Sequence, residues 1–262
     1  MCITQSVGSG TPNQKDDVRL IQALLNLNLS NMTGISFLTE DGGIGPRTQA
    51  AIEAFQNQVA TPGAASGVIE PGSASLAALR SAVNGQLNAN ILRILMPLST
   101  DAQANKYFDP LVTAMNANAI NTPLRQVHFL SQLGHESASM IFTEELASGE
   151  AYEGRKDLGN TQPGDGPRFK GRGLIQITGR ANYTAYGNAR SSDFTTGDNP
   201  KLLATDPNTA ADCSGWFWDT RKLNDLADQD NLLAITKKIN GGTNGLPDRT
   251  SRLALAKCLL LP

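Results

Sequence analysis

Two acidic side chains that could perform hydrolytic chemistry lie between residues 123 and 183. Glu136 follows Leu133 and Phe129 at helical spacing, which places its carboxyl group beside an apolar stripe. Desolvation at such a position favours the protonated carboxyl group that a general acid requires. The alternative interpretation is a glutamate at a helix end that faces water.

The second acid belongs to the run TEELASGEAYEGR, in which Glu144, Glu145 and Glu153 are all candidates for a catalytic base. A straight helix would carry Glu145 about 13 Å along the axis from Glu136 and onto the opposite face. If the helix instead ends near Ser139 and the chain folds back, the two carboxyl groups can face each other. A separation of roughly 6.5–9.5 Å leaves room for a water molecule in an inverting glycosidase.

The local sequence predicts how these groups are positioned. Pro123 suits the first position of a helix, which we expect to end soon after Ser137. The segment after the acidic run is rich in Gly, Pro, Asp and Asn, which predicts turns with short strands. A strand at residues 174–178 would place the Gln176 amide and the Thr178 hydroxyl on one face, where they could hold a water.

Three stretches closely resemble the glycoside hydrolase family 19 domain, the chitinase-like lysozyme domain of bacterial and bacteriophage cell-wall enzymes. They are GHES at 134–137, AYEGRKDLGNTQPGDG at 151–166 and FKGRGLIQITGRANY at 169–183. The resemblance covers roughly residue 87 to the C-terminus. It implies that Glu136 is the general acid, Glu145 the base and Thr178 a residue that helps to hold the water. The sugar-binding positions that it implies are Gln176, Asn182, Tyr183, Asn240 and Arg249.

Two positions depart from the plant-chitinase form of this pattern, and both bear on sugar preference. Phe169 stands where those enzymes tend to have tyrosine, and Asn244 stands near a position that often holds glutamate. Trp216 and Trp218 could stack on sugar rings, but residues i and i+2 point to different faces of a helix, so we expect both in the core.

The composition is that of an ordinary globular protein of one or two domains. The 262 residues are 40% hydrophobic and carry a formal net charge of −2, which argues against nucleic acid as a partner. We expect a monomer. With only His128 and His135 as imidazoles, and with Ser139 where an HExxH zinc motif needs histidine, we expect no metal and no cofactor.

The cysteines and the N-terminal residues indicate the cellular compartment in which the protein is made. Cys2, Cys213 and Cys258 are odd in number and have no metal-binding spacing, which predicts an unpaired thiol, no disulfide framework and a reducing cytoplasm. The N-terminal residues lack a signal-peptide pattern, and no apolar run approaches 18 residues, so we expect no membrane insertion. We therefore expect synthesis in the host cytoplasm and action on the wall in the periplasm, after release by a holin, a secretion system or lysis.

Residues 1–83 are predicted to form a separate unit of three short amphipathic helices, with Asp16 or Asp17 as the first helix cap. Polar residues 84–90 form a linker to the catalytic region at 91–262. The patterns VRLIQALLN and DGGIGPRTQAAIEAFQ resemble the peptidoglycan-binding domain that is often fused to wall hydrolases. Without that resemblance, the second pattern predicts only a turn and a helix cap. The wall-binding residues implied by the resemblance are Asp41, Gly42, Gly45, Thr48 and Phe55.

The predicted fold is mainly α: an α+β lysozyme-like catalytic domain with a small β element, plus a small three-helix binding domain. The expected function is that of a modular phage endolysin, a peptidoglycan hydrolase that cleaves β-1,4 bonds between N-acetylated sugars by an inverting two-carboxylate mechanism. The alternatives are a chitinase acting on N-acetylglucosamine polymers, a secreted antibacterial wall-degrading effector, and a binding protein with an inactive glycosidase fold.

Overall fold

The computed structural model describes residues 2–60, 63, 65–83 and 85–261, and the chain separates into two compact units. The N-terminal unit runs to Leu87 and also includes the C-terminal residues from Lys257, which the sequence analysis assigned to the second domain. The central unit begins at Asn88, and its first helix begins at Ala89, inside the predicted linker. The predicted domains and linker also contain residues 1, 61, 62, 64, 84 and 262, which lie outside the described residues.

Within the described residues, the N-terminal unit contains three α-helices and a two-stranded antiparallel sheet. The first helix forms because apolar residues recur at helical spacing, and its Ile21, Leu24 and Leu25 are almost fully buried. The sheet pairs Val7 with Ile69. The elements are β1 (Val7–Gly8), α1 (Lys15–Leu27), a 3-10 turn (Leu29–Asn31), α2 (Pro46–Phe55), a π-helical turn (Gln56–Ala60), β2 (Val68–Ile69) and α3 (Ala74–Ser81).

Gln22, a buried residue of α1, fixes the glycine-rich turn that precedes α2. Its Nε2 donates to Asp41 Oδ1 at 2.9 Å and to the Gly43 carbonyl at 3.0 Å, and its Oε1 accepts from the Gly42 N–H at 2.9 Å. The bond from Gln22 holds the pKa of Asp41 below its usual range. Gly42 has a φ of +75°, and a Cβ there would lie 2.5 Å from a backbone carbonyl of α1, so the position requires glycine.

The predicted wall-binding residues contribute to this fold. Phe55 is fully buried and Thr48 is 4% exposed, so neither can touch an insoluble polymer, and the prediction is wrong for both. The Thr48 hydroxyl donates to the Gly43 carbonyl at 3.3 Å. Gly45 occupies the cap position before α2, whose first residue is Pro46. The motif therefore forms a turn and the start of a helix.

Asp17 of α1 holds the first residues of the chain. It was predicted as a possible helix cap, but it does not cap the helix. The helix begins two residues earlier, at Lys15, without a side-chain cap. The Asp17 carboxylate instead accepts hydrogen bonds from the backbone N–H of Thr4 at 3.0 Å and of Gln5 at 2.8 Å. It also accepts one from the Thr4 hydroxyl at 2.8 Å.

A disulfide joins Cys2 to Cys258 within the N-terminal unit. The sequence analysis did not predict this bond, whereas the predicted unpaired thiol is confirmed in Cys213. The spacing of the cysteines could not reveal this bond, because the fold brings together residues 256 positions apart, to a Cα–Cα distance of 4.9 Å. Cys213 is a free, buried thiol, and burial raises its pKa well above the ordinary value.

The central unit is helical, and the described residues contain no long strand there. The β element predicted for this region is reduced to isolated bridges, which pair Glu144 with Arg172 and Arg172 with Ile177. The helices are α4 (Ala89–Leu95), α5 (Asp101–Ala117), α6 (Pro123–Glu136), α7 (Asp165–Arg168), α8 (Arg180–Arg190), α9 (Leu202–Thr205), α10 (Pro207–Thr220), α11 (Leu223–Asp228), α12 (Leu232–Asn240) and α13 (Leu246–Leu260), with 3-10 turns at Glu150–Tyr152, Lys156–Leu158 and Asn199–Lys201.

The core of the central unit forms where α10 packs against α5. Trp218 of α10 is fully buried, and its ring meets the Phe129 ring of α6 edge-on at a centroid distance of 5.3 Å. Trp216 is 7% exposed and packs 5.4 Å from the Tyr186 ring. Both tryptophans fill the core as predicted, because the helix directs them into different parts of it. No helix in the described part of the chain has the length and apolarity needed to cross a membrane.

The disulfide leads to a stability prediction. Cys2→Ser should lower the unfolding free energy by about 2–5 kcal/mol in non-reducing buffer, because the cross-link restricts the unfolded chain. Calorimetric melting of the full chain with and without reductant measures this. Reductant should lower the wild-type melting temperature towards that of Cys2→Ser and leave the variant unchanged. Cys213→Ala should keep the response to reductant, and a wild type that ignores reductant would contradict the prediction.

Candidate active site

The predicted general acid lies at the end of α6. The helix starts as the sequence predicts: the Thr122 hydroxyl accepts from the Arg125 N–H at 3.3 Å, and Pro123 is the first residue. Val127 and Leu133 are fully buried and hold the helix on the core. Glu136 is the last helical residue, and its side chain is 17% exposed. The carboxyl group is therefore mostly desolvated but can still reach the surface.

The chain reverses directly after this helix. Ala138, Ser139 and Met140 have φ values of 47°, 63° and 66°, so three consecutive non-glycine residues adopt the left-handed conformation. Hydrogen bonds hold the turn: the Ser139 N–H donates to the Gly134 carbonyl at 2.7 Å, and the Met140 N–H donates to Ser137 Oγ at 2.8 Å. The chain thus folds back near Ser139, as the pairing of two carboxylates requires.

The returning segment, residues 143–145, pairs with the FKGRG stretch. The Gly173 N–H donates to the Thr143 carbonyl at 2.8 Å, and the Glu145 N–H donates to the Gly171 carbonyl at 2.9 Å. These bonds hold the backbone of Glu145 beside residues 171–173, which precede the ITGR segment. The sequence analysis did not identify Gly171 as a partner of Glu145, because only the composition of this region suggested short strands.

Two donors hold the Glu145 carboxylate. The Tyr152 hydroxyl donates to Oε1 at 3.0 Å, and the Gly171 N–H donates to Oε2 at 3.1 Å. Burial and then the neighbouring carboxylate raise the pKa of Tyr152, so its hydroxyl keeps the proton that it donates. Sequence reasoning missed Tyr152, although it lies inside the AYEGR motif.

The other candidate bases are committed to structural contacts. Glu144 forms ion pairs with Arg172 at 2.8 Å and Lys170 at 3.4 Å. Partial burial opposes ionisation of Glu144, but these cations outweigh it and hold the pKa of the carboxyl group below its usual range. The Glu153 carboxylate accepts from the N–H groups of Gly164 and Gly166, each at 2.7 Å.

Arg249 contacts the acid. Its guanidinium, 1% exposed, pairs with Glu136 Oε1 at 2.5 Å, also donates to Gln132 Oε1, and bonds the Asn244 carbonyl at 3.2 Å. Arg249 was predicted to bind substrate, but its burial excludes a surface role, and it stabilises the negative charge of Glu136. Gln132 was missed, although it lies one helical turn before Glu136 in an otherwise apolar stripe.

The predicted water-holding residues come together, but not on a strand. The backbone turns between Arg172 and Ile177, whose N–H and carbonyl groups bond each other at 2.8 and 3.1 Å. Within the turn Gln176 has a φ of 56°, a conformation that costs free energy for a non-glycine residue and clusters at functional sites. The prediction of a strand at residues 174–178 is therefore wrong. Gln176 Nε2 donates to the Gly173 carbonyl at 2.9 Å.

The other predicted sugar-binding residues differ in their surroundings. The Asn182 amide donates to the Thr178 carbonyl at 2.8 Å and is half-buried, so its contact with sugar stays a prediction. Asn240 Nδ2 donates to the Asn244 carbonyl at 2.9 Å, and its Oδ1 accepts from the Gly242 N–H at 2.8 Å. Both ends of this amide therefore hold the turn after α12, and its role in the cleft also stays a prediction.

Tyr183 is fully buried, which contradicts its predicted contact with substrate. Its hydroxyl donates to the Lys170 carbonyl at 2.8 Å, and its ring packs edge-on against Phe169 at 5.2 Å. Burial raises its pKa well above the usual value. Phe169 is fully buried too, so the tyrosine-to-phenylalanine departure is a matter of core packing rather than of sugar recognition.

The histidines have structural partners. His128 Nε2 lies 2.7 Å from Asp230 Oδ1, and His135 Nδ1 lies 2.7 Å from Asp248 Oδ2. In the part of the chain that the structure describes, no three His, Cys, Asp or Glu side chains gather as a metal site.

Comparison with known proteins relates the chain to glycoside hydrolases. Residues 104–237 match the family model described as class I chitinase of glycoside hydrolase family 19. A Haemophilus influenzae protein described as containing a glycosyl hydrolase family 19 domain is 30% identical over 157 residues, which are 48% of this chain and 75% of that protein. An Arabidopsis thaliana endochitinase is 37% identical over 113 residues, 43% of this chain and 38% of that protein. The chain thus spans about two fifths of this plant relative.

Solved structures share the fold. Chitinase C from Streptomyces griseus has a TM-score of 0.54 and 20% identity, with 66% of this chain and 76% of that chain covered. A class IV chitinase from Zea mays has a TM-score of 0.55 and 19% identity, with 66% and 92% covered. The predicted fold class, mainly α with a lysozyme-like catalytic domain, is confirmed.

The loop that carries Tyr152 gives a second prediction. Glu153→Gln should lower the free energy of unfolding by about 1–3 kcal/mol, because one amide oxygen replaces two carboxylate oxygens that accept backbone hydrogen bonds. Amide hydrogen exchange at Gly164 and Gly166 should accelerate. Glu150→Gln changes an exposed residue of the same loop and should leave exchange unchanged. If both glycine amides exchange as slowly in Glu153→Gln as in the wild type, the Glu153 carboxylate does not stabilise this loop.

Proposed function

This chain belongs to glycoside hydrolase family 19, and on that premise we propose that it hydrolyses β-1,4 bonds between the N-acetylated sugars of bacterial peptidoglycan. The coarser statement, a glycoside hydrolase that acts on a polysaccharide, follows from family membership. The substrate, the roles of single residues and the place of action are the proposal.

The observation that carries the mechanism is the fixed Glu145 carboxylate. Two neutral donors immobilise its oxygens, whereas Glu144 is paired with Arg172 and Lys170, and both oxygens of Glu153 accept backbone hydrogen bonds from Gly164 and Gly166. A base held in this way can take a proton from water without rearranging. We assign Glu136 as the acid that protonates the leaving oxygen and Glu145 as the base, in an inverting displacement.

Arg249 completes the acid side of this mechanism. When Glu136 gives its proton to the leaving oxygen, it gains a negative charge in a mostly desolvated site. The buried guanidinium at 2.5 Å is already oriented towards that charge. Arg249 thus favours the state that follows proton transfer.

The N-terminal unit favours peptidoglycan over chitin. Its DGGIGPRT turn resembles the peptidoglycan-binding domain that is often fused to wall hydrolases, and a second binding module slows the release of an enzyme from an insoluble mesh. With Phe55 and Thr48 buried, the anchoring contacts must come from exposed residues of that unit. We also propose that the protein is a monomer and does not bind nucleic acid.

The proposed place of action is the cell wall in the periplasm, reached after release by another factor. The Cys2–Cys258 disulfide supports an oxidising compartment, since such bonds persist outside the reducing cytoplasm. A phage endolysin and a secreted antibacterial effector are both consistent with that location.

Chitin is the second candidate substrate. The descriptions of several relatives, among them the Arabidopsis thaliana endochitinase, favour a polymer of N-acetylglucosamine, and the same two carboxylates would act on it. The N-terminal unit would then bind chitin or serve another purpose.

The acid assignment makes a kinetic prediction. Glu136→Gln should lower the hydrolysis rate by about 10²–10⁴-fold, because the amide cannot protonate the leaving oxygen. Clearing of purified cell walls measures the rate, and circular dichroism measures the fold. Glu150→Gln is the matched control and should clear walls at the wild-type rate. Normal clearing by Glu136→Gln would overturn the assignment.

The substrate proposal is tested by product analysis. Purified peptidoglycan and chitin oligomers are digested, reduced with borohydride and examined by mass spectrometry. We expect peptidoglycan fragments ending in N-acetylmuramitol. N-acetylglucosaminitol from peptidoglycan would keep the substrate but change the bond, and hydrolysis of chitin alone would replace this proposal with the second candidate.

A further inference from the structure

Arg221 differs from most arginines of the central unit in having no acidic partner among the residues of that unit, all of which the structure describes. Arg168 donates to the backbone carbonyls of Thr195 at 2.8 Å and Gly197 at 3.0 Å. The described polar contacts of the Arg221 side chain are also with neutral groups. The remaining arginines, each in an ion pair with Asp or Glu, are Arg93, Arg125, Arg155, Arg172, Arg180, Arg190, Arg249 and Arg252.

The neutral contacts of Arg221 leave much of its hydrogen-bonding capacity available. Its Cζ lies 3.4 Å from the centroid of the Phe217 ring, so the guanidinium rests on that ring. Nη2 donates to Asn182 Oδ1 at 3.4 Å, and Nη1 donates to Thr220 Oγ1 at 3.5 Å. Both bonds are longer than the usual N–H···O range of about 2.7–3.2 Å. Because a guanidinium carries several N–H groups, a better acceptor could still bind here.

The positive charge of Arg221 is poorly compensated. The side chain is partly buried, and burial lowers its pKa, whereas aspartates raise the pKa of Arg125 and of Arg190. Arg221 directly follows α10, and the carbonyl groups at the end of that helix offset part of the cost. A charge that is withdrawn from water without a counter-ion still costs free energy, which a bound anion would recover.

Lys238 adds a second positive charge beside Arg221. Its Nζ donates to the Arg221 carbonyl at 3.0 Å, and its side chain is exposed. Asp219, the acidic residue nearest to Arg221 in sequence, faces Lys222 at 4.0 Å. Two neighbouring cations repel each other, and an anion bound between them would remove this repulsion.

Asn182 connects this positive site to the catalytic cleft. Its Oδ1 accepts from Arg221, and its Nδ2 donates to the Thr178 carbonyl at 2.8 Å. Thr178 Oγ1 and Glu145 Oε2 lie 3.4 and 3.3 Å from one point, the position of a Cβ added to Gly171. Each extended residue of a peptide spans about 3.3–3.6 Å, so a stem of a few residues on a bound glycan can reach Arg221 from the cleft.

We propose that Arg221, with Lys238 beside it, binds a carboxylate carried by the muramyl side chain of peptidoglycan and thereby favours this polymer over uncharged chitin. The inference rests on the proposed substrate. A planar guanidinium can form two parallel, charge-assisted hydrogen bonds with a carboxylate, which an ammonium group cannot. The carboxylate belongs either to the peptide stem or, where the stem has been removed, to the lactyl group that remains on the sugar.

The test is Arg221→Gln, assayed as the full chain on soluble, uncross-linked peptidoglycan strands. The strands are used in three forms: native, stripped of stems by an amidase, and with all carboxyl groups converted to methylamides. New reducing ends measure kcat and KM. We expect KM to rise about 10-fold or more on native or stripped strands, the size of a lost hydrogen bond to a charged group, with kcat nearly unchanged. On methylamidated strands, wild type and variant should have the same KM.

The matched control is Lys201→Gln, which changes the net charge equally at an exposed lysine paired with Asp198 at 2.8 Å. It should keep the wild-type KM on every form. A rise on native strands identifies a stem carboxylate as the ligand, and a rise on stripped strands alone identifies the lactyl carboxylate. Unchanged KM on both forms would overturn the inference, and so would an equal rise on methylamidated strands, which indicates a distorted cleft. A wild type that hydrolyses chitin hexamer but no peptidoglycan strand would instead refute the proposed substrate, and the inference with it.

Discussion

Three consecutive left-handed residues, Ala138 to Met140, separate the helix of Glu136 from the segment of Glu145. Each costs roughly 1–2 kcal/mol relative to an ordinary conformation, since its Cβ crowds the following carbonyl. Surrounding contacts offset that cost: Ser139 and Met140 are almost fully buried, and the Ser139 hydroxyl accepts from Arg252 at 3.1 Å. Without this reversal the acidic run would continue away from the helix end, and Tyr152 and Gly171 would have no carboxylate to hold.

The carboxyl groups of Glu136 and Glu145 have different surroundings, which suits the different roles that we propose for them. Glu136 faces a buried guanidinium, which favours the charge that appears once its proton has left. Glu145 faces neutral donors, a phenol and a backbone N–H, which fix its orientation without a full opposing charge. The cations near Glu145 are instead directed to Glu144, its neighbour in sequence. Of these two adjacent glutamates, Glu144 forms structural ion pairs and Glu145 remains available for the role that we propose.

Much of this organisation could be predicted from the sequence, where local signals decide it. Pro123 and the apolar spacing after it fixed the start and end of α6, and the tryptophans behaved as core residues. The errors arose where distant contacts override local pattern. Alternation suggested a strand at 174–178, but paired backbone groups of Arg172 and Ile177 close a turn there. Tyr183 and Phe55 looked like binding residues because motif matches do not distinguish a buried position from an exposed one.

The Cys2–Cys258 bond makes almost the whole polypeptide one covalent ring. A protease that cuts a single exposed loop, for example near the 80%-exposed Leu146, would leave both fragments tethered until the disulfide is reduced. A nicked molecule would therefore migrate as one species on a non-reducing gel and as two on a reducing gel.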